Sequence, residues 1–339
     1  MDSRKITMRE LANHLGVSVS TVSRALNPDT SGLISAQEVA RIQKAAEKLG
    51  YVQNIMASSL KKGVSKTIGV IIPDLMNPAF PPILKGVMNS LNRESYTPII
   101  SYCENDINLA LAEIKRMKSR QVDGFILAGA FREDASVSYC IEQKFATVTV
   151  GRSLDEHLID QIIIDNGAGT SDLVSHLVSQ GHKKIAFIAG PQNISDGYQR
   201  FEAFKNVLKG HRITLDKNLT VFAEAFNERS GKQAVEQLIA RKKKFTAIVT
   251  SNDLLALGCI EAIEQAGLQC PKDVSVVGWN NMPYLDYFKV PLTTVDIPFL
   301  KMGEKAGEVI LERIKRPEKP IKSFIFQPTL LMRRSTASI

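Results

Sequence analysis

Near its amino end the chain sets three helix starts so close together that only short helices joined by tight turns can satisfy them. Thr7 with Glu10, Ser18 with Thr21 and Ser35 with Glu38 each place a hydroxyl cap three residues ahead of a polar partner. The first and third have the composition of a full capping box, in which cap and partner each accept from the other's backbone. An apolar pair brackets each cap at the staple positions: Ile6 with Leu11, Val17 with Val22 and Ile34 with Val39. Between the first two helices, Leu15-Gly16-Val17-Ser18 allows only a sharp turn. Gly16 can take a positive φ at no steric cost, and Ser18 restarts the helix at once. Two short helices meeting across such a turn form a helix-turn-helix. Leu11 and Leu15 then face inward from the first helix and Val22 and Leu26 from the second.

The open side of the second helix is left with Val19, Ser20, Ser23 and Arg24. Arginine can hold guanine O6 and N7 together, serine can bond to base edges or phosphates, and a valine near the helix start can touch a thymine methyl. Thr21 and Ser23 can instead hold phosphates and fix register. Thr7, Ser18 and Asn27 complete the candidate DNA-contacting set. Charge agrees: residues 1–66 carry ten Lys or Arg against five Asp or Glu, most of the chain's net charge of +8. A solvated basic face is the bland alternative, and it does not explain why the charge coincides with the helical pattern. That order, basic helices ahead of a much longer α/β chain, reads as a DNA-binding head on a ligand-sensing body.

The segments Ile6-Thr7-Met8-Arg9-Glu10-Leu11-Ala12, Gly16-Val17-Ser18 and Thr21-Val22-Ser23-Arg24-Ala25-Leu26-Asn27 resemble the head of the LacI/GalR family of bacterial transcriptional regulators. The likeness continues through Val39, Ile42, Ala45-Ala46 and Leu49-Gly50-Tyr51, similar to the family's third helix. Asn54 to Gly63 resembles its hinge helix, with Asn54 as cap, small Ala57, Ser58 and Ser59, and Leu60 as a wedge that can enter the minor groove and kink the duplex. So short a helix is not stable alone in water, which ties its ordering to a partner copy and DNA. Gln53 stands where the family usually has proline.

From Thr67 onward, short β-branched runs alternate with longer helical patterns, as parallel βαβ units do. Strands are expected at 68–72, 97–102, 122–127 and 146–150, and a second series at 185–188, 247–250 and 274–277, giving two doubly wound subdomains. In open α/β sheets ligands sit beyond the carboxyl ends of the strands. Those ends carry Asp74 and Asn77, Tyr102, Gly151-Arg152, Gly190-Pro191, Ser251-Asn252-Asp253 and Trp279-Asn280-Asn281. Amides, carboxylates and arginines bind vicinal hydroxyls, and an aromatic face stacks on a sugar ring.

The resemblance extends over almost the whole chain, through Ile72-Pro73-Asp74, Asn77-Pro78, Asp123-Gly124-Phe125-Ile126, Gly151-Arg152, Asp165-Asn166, Gly190 with Arg200, Ser251-Asn252-Asp253 and Val276-Val277-Gly278-Trp279. It implies an all-α helix-turn-helix domain (1–53), a hinge helix and linker (54–65) and an α/β, periplasmic-binding-protein-like (type I) effector and dimerisation domain (66–339). The N-subdomain would take about 66–164 and 293–324, and the C-subdomain about 165–292 and 325–339, joined by return crossings at 292–295 and 327–330. Asn77, Phe80, Arg152, Arg200, Phe226, Asn252 and Asn280 would line the cleft, with Tyr102 added from its strand end. The alternative for Phe80 and Phe226 is ordinary core packing, and for Arg200 an exposed helix position. Where many relatives have Gly-aromatic-Asp, this chain has Asn280-Asn281. An amide in place of a carboxylate removes one negative charge and favours a sugar acid or phosphorylated sugar.

Catalytic signatures are missing. The first strand is followed by Pro73-Asp74-Leu75-Met76-Asn77-Pro78, not a dinucleotide fingerprint, and Gly167-Ala168-Gly169 lacks the third glycine. There is no phosphate-cradling G-x-x-x-x-G-K-[ST], G-x-S-x-G or H-E-x-x-H, and neither cofactor nor metal is expected. Cys103, Cys140, Cys259 and Cys270 are far apart and read as reduced core thiols. No apolar run approaches the roughly 18 residues of a membrane span, and no secretory signal precedes the helices, which points to the cytoplasm. A solute-binding protein is the rival that fits the body alone. The whole chain reads instead as a homodimeric repressor on a pseudo-palindromic double-stranded operator, controlled by a sugar or sugar acid.

Overall fold

The computed structural model describes residues 6–27, 30–51 and 64–339, in two compact units, Met1–Ser65 and Lys66–Ile339. The expected hinge segment, with Asn54, Ala57 and Leu60, lies outside the described residues.

In the first unit, α1 (Met8–Leu15), α2 (Val19–Ala25) and α3 (Ala36–Lys48) follow the three caps. Thr7 and Glu10 close a complete capping box: the Glu10 amide donates to Thr7 Oγ1 at 3.3 Å and the Thr7 amide to Glu10 Oε2 at 2.8 Å. Gly16 turns the chain at φ 65°, and Ser18 Oγ accepts from the Thr21 amide at 3.1 Å. The third cap is only half of the expected box. Ser35 Oγ accepts from the Glu38 amide at 3.3 Å, while the Glu38 carboxylate is held by Arg41 at 2.6 and 3.0 Å. A planar, two-pronged cation outcompetes a backbone amide for the same oxygens. Leu11, Ala12, Val22, Ala25, Ile42 and Ala46 form the core of the three helices.

The second unit holds two parallel sheets. In chain order its elements are β1 (Thr67–Ile72), α4 (Phe80–Arg93), β2 (Thr97–Tyr102), α5 (Ile107–Lys118), β3 (Gly124–Leu127), α6 (Ala135–Glu142), β4 (Ala146–Gly151), β5 (Asp160–Ile164) and α7 (Asn166–Ser179). There follow β6 (Ile185–Ala189), α8 (Ser195–Gly210), β7 (Thr220–Phe222), α9 (Glu228–Ala240), β8 (Ala247–Thr250), α10 (Asp253–Gln265) and β9 (Ser275–Val277). The last are β10 (Thr294–Asp296), α11 (Phe299–Lys315), β11 (Ser323–Phe326) and β12 (Thr329–Leu331). The larger sheet has the order β11-β5-β4-β3-β1-β2 and the smaller β7-β6-β8-β9. Val70 and Ile72 on one face and Ile71 and Phe125 on the other belong to separate buried clusters, so the larger sheet is covered on both sides.

Every strand expected from the sequence is present, and five more join them: β10 and β12 at the expected return crossings, and β5, β7 and β11. Asp160 and Gln161 open β5 with polar residues that are nonetheless buried, because Arg313 donates to Asp160 Oδ2 at 2.7 and 2.9 Å and Gln161 Oε1 accepts from the Leu154 amide at 2.9 Å. Pairing in the larger sheet runs on to Phe326, just ahead of the expected crossing at 327–330. The chain crosses between sheets three times. After β5 it enters α7; β10 then pairs antiparallel with β12 while bridging Asn280; and Ser335, fully buried, exchanges backbone and hydroxyl hydrogen bonds with Val276 and Thr293.

α11 lies along α4 at very close range. A Cβ on Gly303 would press on the Ile83 carbonyl and one on Gly86 on the Leu300 carbonyl, while Ser90 Oγ donates to the Glu304 carbonyl at 2.8 Å. This helix pair brings the first turn of α11 beneath the strand ends.

Candidate functional site

The carboxyl ends of the strands in both sheets open on one cavity, lined by Asn77, Phe80, Arg152, Arg200, Phe226, Asn252 and Asn280 together with an apolar floor. All seven residues inferred by family likeness meet there. Tyr102 does not. It ends β2, the edge strand of the larger sheet, and is 47% exposed, because an edge strand lies farthest from the crossings between the sheets. Phe80 satisfies both of its readings, belonging to the buried core and facing the cavity. Phe226 packs against the smaller sheet's core, and Gly190 must lack a side chain for its ring to lie there. Arg200 is 2% exposed, which rules out the solvated helix position.

Each arginine is placed by a different set of partners. Arg200 Nε donates to Asn166 Oδ1 at 2.8 Å and Nη1 to the Ser251 carbonyl at 2.5 Å; Nη2 lies 3.7 Å from Asp196 Oδ2, and the guanidinium stacks 4.0 Å over Trp279. Arg152 donates to the Gly129 carbonyl at 3.0 Å and to Asn105 Oδ1 at 2.8 Å. Burial lowers both pKa values, partly offset by nearby carboxylates, Asp196 foremost.

The three amides differ in what they have left to offer. Asn252 caps α10: Oδ1 accepts from the Leu255 amide at 2.9 Å, and Nδ2 donates to the Phe226 carbonyl at 3.3 Å. Asn77 Oδ1 accepts from the Ala79 amide at 3.1 Å. Asn280 sits at φ 110°, fixed by its amide donating to the Val295 carbonyl at 2.9 Å, and its side chain makes no hydrogen bond among the described residues. Asn281 points elsewhere, donating to Asp296 Oδ1 and accepting from Arg333 Nη2, each at 2.8 Å. Of the two asparagines, only Asn280 borders the cavity.

Sequence reasoning missed the floor, made by Ile83, Ile164, Ile297, Phe299 and Met302, and missed Asp196. Asp196 was the more accessible of these, standing one helical turn before Arg200 on α8.

The cavity's lips touch. The Arg132 amide donates to the Asn193 carbonyl at 3.1 Å and its Nη1 to the Gln192 carbonyl at 3.2 Å; its Nε holds Asp155 at 2.8 Å, and its guanidinium lies 3.7 Å from the Tyr198 ring. Beside it the Ser153 amide donates to Ser195 Oγ, and Gln199 Nε2 donates to Ser153 Oγ, both at 2.9 Å.

In the first unit, α2 exposes Val19 (42%), Ser20 and Arg24, with Thr21 and Ser23 half-buried. The Arg24 guanidinium has no partner among the described residues. Ser18 Oγ lies 2.7 Å from Ser20 Oγ and 2.8 Å from Thr21 Oγ1, so these hydroxyls form a local cluster as well as an outward face. Thr7 is exposed and bound within its capping box; Asn27 is half-buried, its carbonyl accepting from the Thr30 and Ser31 amides. Cys103, Cys140, Cys259 and Cys270 are all buried, and no helix among the described residues is long and apolar enough to cross a membrane.

Residues 7–54 match the family described as bacterial regulatory proteins, lacI family, and residues 174–336 match a periplasmic binding protein-like domain. Similar curated proteins include the transcriptional repressor CytR of Escherichia coli strain K12, 30% identical over 98% of this chain and 97% of that one. The regulator RegA of Clostridium saccharobutylicum is 29% identical over 97% and 99%, and the ribose operon repressor of Haemophilus influenzae 28% over 98% and 99%. Among solved structures, the lac repressor dimer bound to operator and an anti-inducer superposes with a TM-score of 0.88 at 24% identity, over 99% of this chain and all of that one. A LacI-family regulator of Enterococcus faecium with bound ribose gives 0.70 at 29% identity, over 80% and 99%.

Proposed function

Because the chain belongs to the lacI family of bacterial regulatory proteins, we propose that it is a homodimeric, sequence-specific DNA-binding repressor whose operator affinity is set by a small carbohydrate-type effector. The observation that carries this reading is the convergence of seven polar and aromatic side chains, drawn from the strand ends of two sheets, on one cavity. A helix-turn-helix with a polar outer face supplies the other half. Val19, Ser20, Ser23 and Arg24 would read base edges, and Thr7, Ser18, Thr21 and Asn27 would hold phosphates or fix the face they lie on. Residues 1–53 would serve as the DNA-binding domain and 54–65 as the hinge, with Asn54, Ala57 and Leu60 contacting DNA in the minor groove. One head reads a half-site, so a two-fold pair of chains calls for a pseudo-palindromic operator.

In this reading the effector bridges the two halves of the body, with Phe80 and Phe226 against its ring and amides and arginines on its polar groups. Closure then alters the separation of the paired hinges, and by linkage the operator alters effector affinity by the same factor. The full chain should bind selected genomic fragments with an affinity that falls steeply with salt, as phosphate neutralisation requires. Residues 66–339, which have their own cores, should keep effector binding and lose DNA binding. Fluorescence anisotropy on the fragments and calorimetry with sugars test both. A full chain with no salt-sensitive preference for any fragment, with or without sugars, would overturn the reading.

A further inference from the structure

Arg152 is 6% exposed, lines the cavity and has no carboxylate within ion-pair distance among the described residues. Its two hydrogen bonds go to neutral acceptors, the Gly129 carbonyl and the Asn105 amide, which fix the fork and leave its other donors unused. Asp196, Asp134 and Asp74 act on it only from farther away, and Asp134 is spent on its own helix, capping α6 through the Ser136 and Val137 amides. Arg200 is in the opposite situation, with Asn166, Ser251, Asp196 and the Trp279 face around it. The enclosed part of the cavity carries two arginines against one carboxylate, Asp196, while Asp74, Glu104 and Glu224 line the adjoining space on the other side of Arg152 without pairing with it. A buried cation without a counter-charge is costly unless something brings one. The Asn280 amide adds unspent hydrogen-bonding capacity across the cavity.

We propose that the effector is an anionic carbohydrate, whose carboxylate or phosphate pairs with Arg152 while its hydroxyls bond to Asp196 and Asn280. This rests on the reading that the cavity takes a carbohydrate-type ligand. The guanidinium fork matches two oxygens of either anion. Asn105 serves as the positioning residue, holding the fork toward the cavity without needing to reach the ligand.

The test is calorimetric titration of the full-length protein with matched pairs: gluconate against glucose, galacturonate against galactose, and ribose 5-phosphate against ribose. The carboxylate and phosphate arms separate the two sources of negative charge. At least one acid should bind about tenfold to a hundredfold more tightly than its neutral partner, the range expected of a hydrogen-bonded charge. Arg152→Gln should reduce that acid's affinity to about that of the neutral sugar and change neutral-sugar binding little. Should the variant fail to fold, the wild-type pairs decide alone. Neutral sugars binding as well as or better than their acids would overturn the proposal and leave the carbohydrate reading standing. Failure of every pair to bind would overturn both.

Discussion

Asp253 is fully buried in the first turn of α10, where the Thr294 hydroxyl of β10 donates to Oδ1 at 2.6 Å and the Met282 amide to Oδ2 at 2.9 Å. Burial outweighs these hydrogen bonds and raises its pKa to about 7, whereas an unfolded carboxyl titrates near about 4. Between those values the folded chain keeps a proton that the unfolded chain has lost. Stability contributed by this group therefore falls as pH rises from about 4 to about 7 and levels off above that. At about 1.36 kcal/mol per pKa unit the fall is on the order of 4 kcal/mol. Asp253→Asn keeps the shape and removes the titration, its amide oxygen accepting from Met282 and its NH2 donating to the Thr294 hydroxyl, which can accept. Denaturant unfolding of both proteins across that pH range should show the variant gaining on the wild type as pH rises from about 4 to about 7. A gap between the two that stays constant with pH would exclude a titrating Asp253. Strand-end position pointed to this residue as a ligand contact; the structure uses it inside the crossing, because its two oxygens are already claimed by donors from both sides.

The α4–α11 pair argues at the level of whole elements. Gly303 lies within a helix, where alanine is ordinarily worth about 1 kcal/mol more than glycine. Here the added methyl meets the Ile83 carbonyl of the facing helix, and overpacking of that kind costs about 1–3 kcal/mol. The second effect is the larger, so Gly303→Ala should lower the denaturant midpoint of the protein; a raised midpoint would mean that the helices separate freely. Elements with a strong local signature were legible in advance. β1, β6 and β8 announced themselves as β-branched runs, and α1 to α3 through their caps. β5, β7 and β11 were not, since they are short or open with polar residues whose burial depends on partners far away in the chain, such as Arg313 for Asp160. Tyr102 was misplaced for the same reason: nothing local distinguishes an edge strand from a central one. Phe299 and Met302 reach the cavity only because α11 docks on α4.

At the scale of the whole second unit, the bonds across the cavity's lips set how readily its two halves part. Arg132 contributes a backbone bond to Asn193, a side-chain bond to Gln192 and a stacked ring with Tyr198, while its ion pair with Asp155 lies within its own half and orients the guanidinium. Arg132→Ala leaves the backbone bond and removes the rest, so the open arrangement gains population at the expense of the closed one. Effector release should then speed up several-fold with little change in association, since affinity differences of this kind reside mainly in dissociation. Stopped-flow displacement measures this directly, and an unchanged release rate would assign closure to other contacts.

The path of the chain through the two sheets also has a genetic side. The last segment, from Ser323 to Ser335, supplies an edge strand to one half, a crossing strand beside β10 and a buried hydroxyl tie to the other. A stop codon upstream of Ser323 therefore leaves neither half complete, whereas one between Phe326 and Ser335 spares the first half's edge strand and strips the crossing and the other half of their last ties.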